Sequence, residues 1–225
     1  MEKINITMPG DDNFIVEEAY KTLRTNIQFC GKDLKVIGLT SYGENEGKST
    51  VCLGIGKSFS ELGKKVLVID ADMRKSVMAG RNANVKNAKG LSEVLTGLTT
   101  LDNCIYSTQY EGLDLFVAGK YPPNPVELLS GKYFSSIISA VRDFYDYIFI
   151  DTPPLGRVID ASVIATQCDG MILVIGNANT HYRQLQGTVE QLRKSDCRVL
   201  GVVRNFVSYR EGGYYRKRYY GKKEN

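Results

Sequence analysis

The chemistry-bearing residues of this chain begin at Gly47-Lys48-Ser49-Thr50, the end of the run L-T-S-Y-G-E-N-E-G-K-S-T from Leu39 to Thr50. A lysine and a hydroxyl directly after a glycine suit an anion. If a strand feeds the turn and a helix follows it, backbone N–H groups and the helix dipole converge on one phosphate. Lys48 would then reach the outer phosphates and the Ser49 hydroxyl would hold Mg²⁺. The spacing departs from G-x-x-x-x-G-K-[ST]: the first glycine position falls on Tyr42, and the nearest glycine, Gly43, is one residue late. The bland alternative is an ordinary loop carrying a chance G-K-S. Its flanks argue against that, because an apolar run, Val36 to Leu39, precedes it and a helix-compatible stretch follows.

Two acidic sites fit the same chemistry. Asp151 closes the apolar run Tyr147-Ile148-Phe149-Ile150 and precedes Thr152-Pro153-Pro154. A carboxylate there can hold Mg²⁺ directly or through water. As a structural residue it would be a helix N-cap or turn aspartate. Asp70-Ala71-Asp72-Met73-Arg74 closes a second apolar run, Val66 to Ile69. Alternating carboxylates point different ways if strand geometry persists. One could face a metal and the other an incoming hydroxyl, whose proton it could accept. The alternative is a structural strand-end pair with Arg74 in a weak exposed ion pair.

These residues need a scaffold that brings strand ends together. Continuous apolar runs rich in branched residues read as buried parallel strands: Leu34–Thr40, Val66–Ile69, Leu113–Ala118, Tyr147–Ile150, Met171–Ile175 and Arg198–Val203. Helical patterns lie between them: Phe14–Phe29, Lys48–Leu62, a short helix capped near Ser92, Val126–Leu129, Phe134–Phe144, Ala161–Thr166 and Arg183–Arg193. Strands alternating with helices give an α/β fold with a mainly parallel central sheet and helices on both faces. Ligands of such sheets bind outside the carboxyl ends of the strands, where the phosphate loop, Asp70-x-Asp72 and Asp151 all fall. Residues 1–13 read as a flexible leader, and the polar connection Lys75–Lys89 as mobile.

At 225 residues the chain is long enough for one large domain, expected over 1–207, followed by a tail over 208–225. No run of about 18 apolar residues exists, and the N-terminus lacks a signal-peptide core, which predicts a cytoplasmic protein. Five scattered cysteines with no C-x-x-C pair, and a single histidine, His181, argue against a zinc site, a disulfide framework and a Ser–His triad. Most of the cysteines read as small buried hydrophobes. The net charge of +4 resides in residues 208–225, which hold six Lys/Arg and two acids, so the body is neutral.

With these motifs in place, the chain resembles the bacterial tyrosine kinases, and within them the soluble kinase subunits of Gram-positive capsule and exopolysaccharide systems. T-S-Y-G-E-N-E-G-K-S-T lines up with the family's Walker A, V-L-V-I-D-A-D-M-R with its Walker A′, and Y-I-F-I-D-T-P-P with its Walker B. The segments G-L-S-E-V-L, N-P-V-E-L-L and D-A-S-V-I-A also look like family segments. The resemblance implies a P-loop NTPase-like fold and an ATP- and Mg²⁺-dependent protein-tyrosine kinase. It implies ATP contacts from Gly43, Glu46, Gly47, Lys48, Ser49 and Thr50, with Asn205 near the adenine. By the same resemblance Ser49, Asp70 and Asp151 serve the metal, Asp70 is the base on the tyrosine hydroxyl, Asp72 assists, and Arg74 stabilises phosphate charge. The family's E-x-x-R-x-x-R assembly helix reads here Glu18, Lys21, Arg24, and lysine at the first arginine position loses the planar fork. A homo-oligomeric ring, a separate membrane activator that recruits the chain to the inner face of the plasma membrane, and a cognate tyrosine phosphatase are implied partners. The family usually has Pro-Gly where this chain has Glu44-Asn45; asparagine tolerates left-handed backbone, whereas Glu44 beside the phosphates lacks a rationale at this level.

Five of fourteen tyrosines, Tyr209, Tyr214, Tyr215, Tyr219 and Tyr220, fall in the last seventeen residues among arginines and glycines. Such a segment cannot bury a core and reads as disordered. By resemblance it is a cluster phosphorylated in trans. Each phosphate adds about −1.5 to −2 charges, so three more than reverse the tail's charge. Arginine with tyrosine also suits single-stranded nucleic acid, although the kinase motifs leave no nucleic acid expected. Three functions stand: a tyrosine autokinase, a partitioning-type ATPase of the related deviant Walker class, and a non-catalytic ATP-binding scaffold. Partitioning ATPases usually carry a second lysine early in the loop, where Tyr42 and Gly43 stand here.

Overall fold

The computed structural model describes residues 2–8, 13–78, 80, 88–176 and 182–207. Seven strands form one sheet: β1 (Val36–Ser41), β2 (Val66–Asp70), β3 (Ile105–Ser107), β4 (Leu113–Phe116), β5 (Tyr147–Asp151), β6 (Gly170–Ile175) and β7 (Val199–Arg204). The spatial order is β3-β4-β2-β5-β1-β6-β7, parallel except for β3, which runs antiparallel to β4. Seven α-helices are described: α1 (Phe14–Cys30), α2 (Lys48–Ser60), α3 (Leu91–Leu95), α4 (Pro125–Ser130), α5 (Lys132–Arg142), α6 (Asp160–Ala165) and α7 (Tyr182–Lys194).

The apolar runs are strands because both their faces are covered. Ile37 and Leu39 of β1, with Val66 and Val68 of β2, join the core beneath α1 and α2, where Leu53, Ile55 and Phe59 are fully buried. Their neighbours in sequence, Val36, Leu67 and Ile69, face the second core with Ile148 and Ile150, packed by Leu91, Leu129, Phe134 and Ile138 from α3, α4 and α5. Period two along each strand thus fills two apolar layers at once. Tyr20 fastens α1 to α2: a Cβ on Gly54 would sit 2.1 Å from its ring, and its hydroxyl donates to the Thr50 carbonyl at 3.3 Å. Burial pushes that phenol up to about 12. Cys52, Cys104 and Cys197 are buried among apolar neighbours, as small hydrophobes should be. Among the described residues no helix is long and apolar enough to cross a membrane.

Two expectations are corrected. The leader is not loose over its described part: Lys3 bridges Ser107 in parallel, the Ile4 N–H donates to the Ser107 carbonyl at 2.8 Å, and Ser107 returns a bond to the Glu2 carbonyl at 3.0 Å. The Gln109 side chain brackets Ile6 through both its N–H and its C=O. Ile4, Ile6 and Met8 are buried in the first core, and that burial is what fixes the segment. Strand β3 itself, three residues long, is an element the sequence reading lacks. In the connection after Lys75, Ser76 and Met78 are fixed, the latter fully buried; residues 79 and 81–87 lie outside the described residues. So do His181, the 208–225 tail and its five tyrosines.

Candidate active site

Neighbouring strand ends meet where the topology requires. β2 and β5 are adjacent and parallel, with Asp70 registered against Asp151. β5 is also adjacent to β1, which delivers the loop Tyr42–Gly47 and then the N-terminus of α2. Gly47, the residue before α2, has φ +82°, and a Cβ there would lie 2.0 Å from the Asn205 side chain. Only glycine fits both the left-handed backbone and that approach. Asn45 takes the other left-handed position of the loop, φ +57°, a conformation that asparagine adopts more readily than most residues.

The loop is braced from behind. The Asn205 amide donates to the Glu46 carbonyl at 3.1 Å, and the Asn205 N–H to the Ile175 carbonyl at 2.7 Å. The Gly43 N–H donates to Glu46 Oε2 at 3.3 Å, and the Gly43 carbonyl accepts from Ser41 Oγ. The Gly156 N–H donates to the Tyr42 carbonyl at 3.1 Å, so the segment after Pro154 holds the other flank. Glu44, without a rationale in the sequence, acquires one: its carboxylate turns to Lys75, 2.6 Å away.

At the centre, Ser49 donates its hydroxyl to Asp151 Oδ2. Asp151 Oδ1 is buried with no hydrogen-bond partner. Asp70 is fully buried; its Oδ2 accepts from Ser76 Oγ at 2.5 Å and its Oδ1 from the Asp72 N–H at 3.2 Å. Burial, and then the Asp151 charge beside it, push the Asp70 carboxyl well above the usual range. Burial raises Asp151 to about 7, against the pull of Lys48 and Ser49. Lys48 is itself 7% exposed and close enough to stabilise the charges of Asp151 and Asp72. The lysine therefore points into the acidic site.

The remaining site residues divide. Asp72 lies past the end of β2 in a turn, accepts from the Lys75 N–H at 3.0 Å and keeps 8% exposure. Arg74 is engaged by Asp160 at the start of α6, through Nε at 2.8 Å and Nη2 at 3.2 Å. Asp160 is 1% exposed, so this is a half-buried, two-pronged pair rather than a surface one. On α1, Lys21 pairs with Glu18 in its own helix at 2.8 Å, and Arg24 turns inward to the Ser58 carbonyl and hydroxyl of α2. Thr50 follows Ser49 in the first turn of α2. Ser76, Lys75 and Asp160 are partners that sequence reasoning missed: Ser76 and Lys75 lie in the loop after β2 and carry no pattern of their own, and Asp160 opens the D-A-S-V-I-A segment, which gives no sign that it faces Arg74.

The donor set suits a divalent cation of the magnesium type. Two buried carboxylates repel each other, one oxygen is unpartnered, and a hydroxyl stands beside it. Among the described residues no three His, Cys, Asp or Glu side chains gather closely enough to enclose a metal. A magnesium ion is ordinarily held by one or two carboxylates together with phosphates and water, which such an open arrangement permits.

Comparison with known proteins agrees with this geometry. The AAA domain family matches residues 34–200. Tyrosine-protein kinase CpsD of Streptococcus agalactiae is 41% identical over 207 residues, covering 90% of each chain. Tyrosine-protein kinase YwqD of Bacillus subtilis (strain 168) is 33% identical over 223 residues, 98% of this chain and 93% of YwqD. The crystal structure of the chimerical protein CapA2B2 superposes with a TM-score of 0.83 at 28% identity, covering 92% of this chain and 94% of that one. Strand ends, phosphate loop and near-full-length relatives converge, and the chain belongs to the bacterial tyrosine-protein kinase family.

Proposed function

We propose that the chain transfers the terminal phosphoryl group of ATP to tyrosine hydroxyls, among them those of its own 208–225 tail on a neighbouring copy. The observation that carries this is the meeting of the phosphate loop with Asp70 and Asp151 at adjacent strand ends. Bound Mg²⁺ would neutralise charge on the phosphates, held by Ser49 and Asp151 with Asp70 alongside. Gly43, Glu46, Gly47 and Thr50 line the phosphate cradle, and Asn205 braces it on the side where the adenine would lie. Lys48 holds the outer phosphates in place. Asp70 takes the proton from the tyrosine O–H as the oxygen attacks; a carboxylate at the strand end beside Asp151 is placed to accept it. Asp72, nearer the surface, orients the acceptor and is the rival for the base. Arg74 contributes positive charge at the rim while Asp160 fixes its direction.

The wider setting follows from the resemblance of the chain to its relatives. A membrane protein supplied in trans activates it and draws it to the inner face of the plasma membrane. Copies assemble into a ring through the Glu18–Lys21–Arg24 helix, a tyrosine phosphatase resets the tail, and capsule or exopolysaccharide synthesis is the process controlled.

The test is mass spectrometry of purified protein incubated with Mg·ATP and the cytoplasmic peptide of the membrane partner. Phosphate on Tyr209, Tyr214, Tyr215, Tyr219 or Tyr220 is expected, with none in Lys48→Ala. A tail without phosphate, while ATP is hydrolysed, would return the chain to the partitioning-type ATPases. Comparing Asp70→Asn with Asp72→Asn then identifies the base as the one whose loss removes the acidic limb of the rate–pH profile.

A further inference from the structure

Glu44 and Lys75 span the mouth of the site. Glu44 belongs to the phosphate loop and Lys75 to the loop after β2, and their side chains meet at 2.6 Å while remaining 46% and 62% exposed. The same Lys75 anchors the catalytic side through its backbone, whose N–H donates to Asp72 Oδ1 at 3.0 Å. Its ammonium is thus tethered three residues from Asp72 and reaches across to the phosphate loop. The loop's other carboxylate, Glu46, is 8% exposed and accepts from the Gly43 N–H. Glu44 is therefore the anion that the loop presents outward. Lys75 dominates its stabilisation, with Arg157 and Lys48 adding to it.

One ammonium thus holds an exposed carboxylate on a loop whose business is phosphate. Exposed ion pairs of this kind contribute little and exchange readily. A triphosphate brings more charge than a carboxylate, and more acceptor oxygens.

We propose that Glu44 is a tethered stand-in for the terminal phosphate, and that Lys75 is a phosphate-binding residue which passes from Glu44 to the nucleotide when it binds. This rests on the ATP-site reading above. Binding is then an exchange of anions: the Glu44 carboxylate swings to water and the Lys75 ammonium closes on the outermost phosphate. A diphosphate, lacking that phosphate, displaces Glu44 less effectively. Glu44 thereby raises the threshold for triphosphate.

Calorimetric titration of the full-length chain with Mg·ATP, Mg·ADP and Mg·tripolyphosphate tests this, with wild type, Glu44→Gln, Lys75→Ala and the double variant. Glu44→Gln keeps shape and removes charge; it is expected to bind ATP and tripolyphosphate about five-fold tighter, the equivalent of one exposed charge interaction, with a smaller gain for ADP. Lys75→Ala is expected to weaken ATP and tripolyphosphate by a similar factor, and in its background Glu44→Gln gains less. Unchanged or weaker ATP binding by Glu44→Gln overturns the proposal, as does an equal gain for ADP, which would mean a general charge effect. If wild type binds neither ATP nor tripolyphosphate, the phosphate-loop reading itself fails, a result distinct from either. Thermal melting of each variant checks that the fold is intact.

Discussion

The two ends of β1 hold buried or half-buried aspartates in opposite circumstances. At the amino end, Asp169 accepts from the Lys35 and Val36 N–H groups at 2.8 Å each, and from Arg142 at 2.9 and 3.0 Å. The Val36 N–H and the Arg142 guanidinium outweigh its partial burial and hold its carboxyl below the usual range. At the carboxyl end, Asp151 has one oxygen without a partner and faces a second buried carboxylate, and it is raised to about 7. The first aspartate is scaffolding: its charge is answered within the chain. The second is left incomplete in the same fold, and incompleteness at a strand end is the mark of a site whose partner comes from outside.

That contrast can be broken by swapping the losses. Asp151→Asn should cut phosphoryl transfer about 100-fold or more, the cost of losing a group aimed at the reacting charge, while the nucleotide-free protein unfolds at the same or higher urea. Radiolabel transfer and urea midpoints together check this; a variant both inactive and unstable would make Asp151 scaffolding as well. Asp169→Ala should do the reverse. It orphans two main-chain donors and a guanidinium, so about 2 kcal/mol of stability should go, read as a lower urea midpoint, with folded protein still active.

Acidity sharpens the comparison further. For Asp151 the folded form binds its proton more tightly than the unfolded chain does. Stability from the protonated group is present below the ordinary carboxylate range and is lost as pH rises to about 7. The loss is at most about 1.4 kcal/mol per pH unit. Asp169 has the opposite sign: its contribution is present above the ordinary range and is lost as pH falls below it. Urea midpoints of the metal-free protein between pH 5 and pH 8 should therefore fall with pH in wild type and fall less steeply in Asp151→Asn, where the buried Asp70 carboxyl still titrates from a raised position; equal slopes would remove Asp151 as a cause. The smallest effect belongs to Lys21→Ala on α1. Its pair with Glu18 is close to half-exposed on both sides, so the urea midpoint should barely move. A larger change in light-scattering mass than in urea midpoint would assign this lysine to assembly.

The sequence made legible what periodicity and strand-end placement encode. Runs such as Val66–Ile69 and Tyr147–Ile150 are buried on both faces and carry their carboxylates at a fixed end, so the meeting of Lys48, Asp70 and Asp151 could be argued before any coordinates. The partners of those residues could not. Ser76 reaches Asp70 from six residues on, Asp160 at the head of α6 reaches Arg74 over 86, and Lys75 reaches Glu44 over 31; such side-chain partnerships leave no local pattern. Strand β3 is too short for alternation to register, and its pairing is fixed by β4. The N-terminal segment is different. Ile4, Ile6 and Met8 alternate with polar residues, a period-two signal present in the sequence, obscured by its position at a terminus where looseness is the ordinary expectation.

That segment has a consequence for the molecule in solution. A sheet edge with unpaired N–H and C=O groups is a template for another chain. Here the segment Glu2 to Met8 bridges the free side of β3 at Ser107 and anchors itself with three apolar side chains, Ile4, Ile6 and Met8. It works as a built-in stopper: displacing it would bare the Ser107 main-chain groups together with the apolar surface that Ile4, Ile6 and Met8 cover.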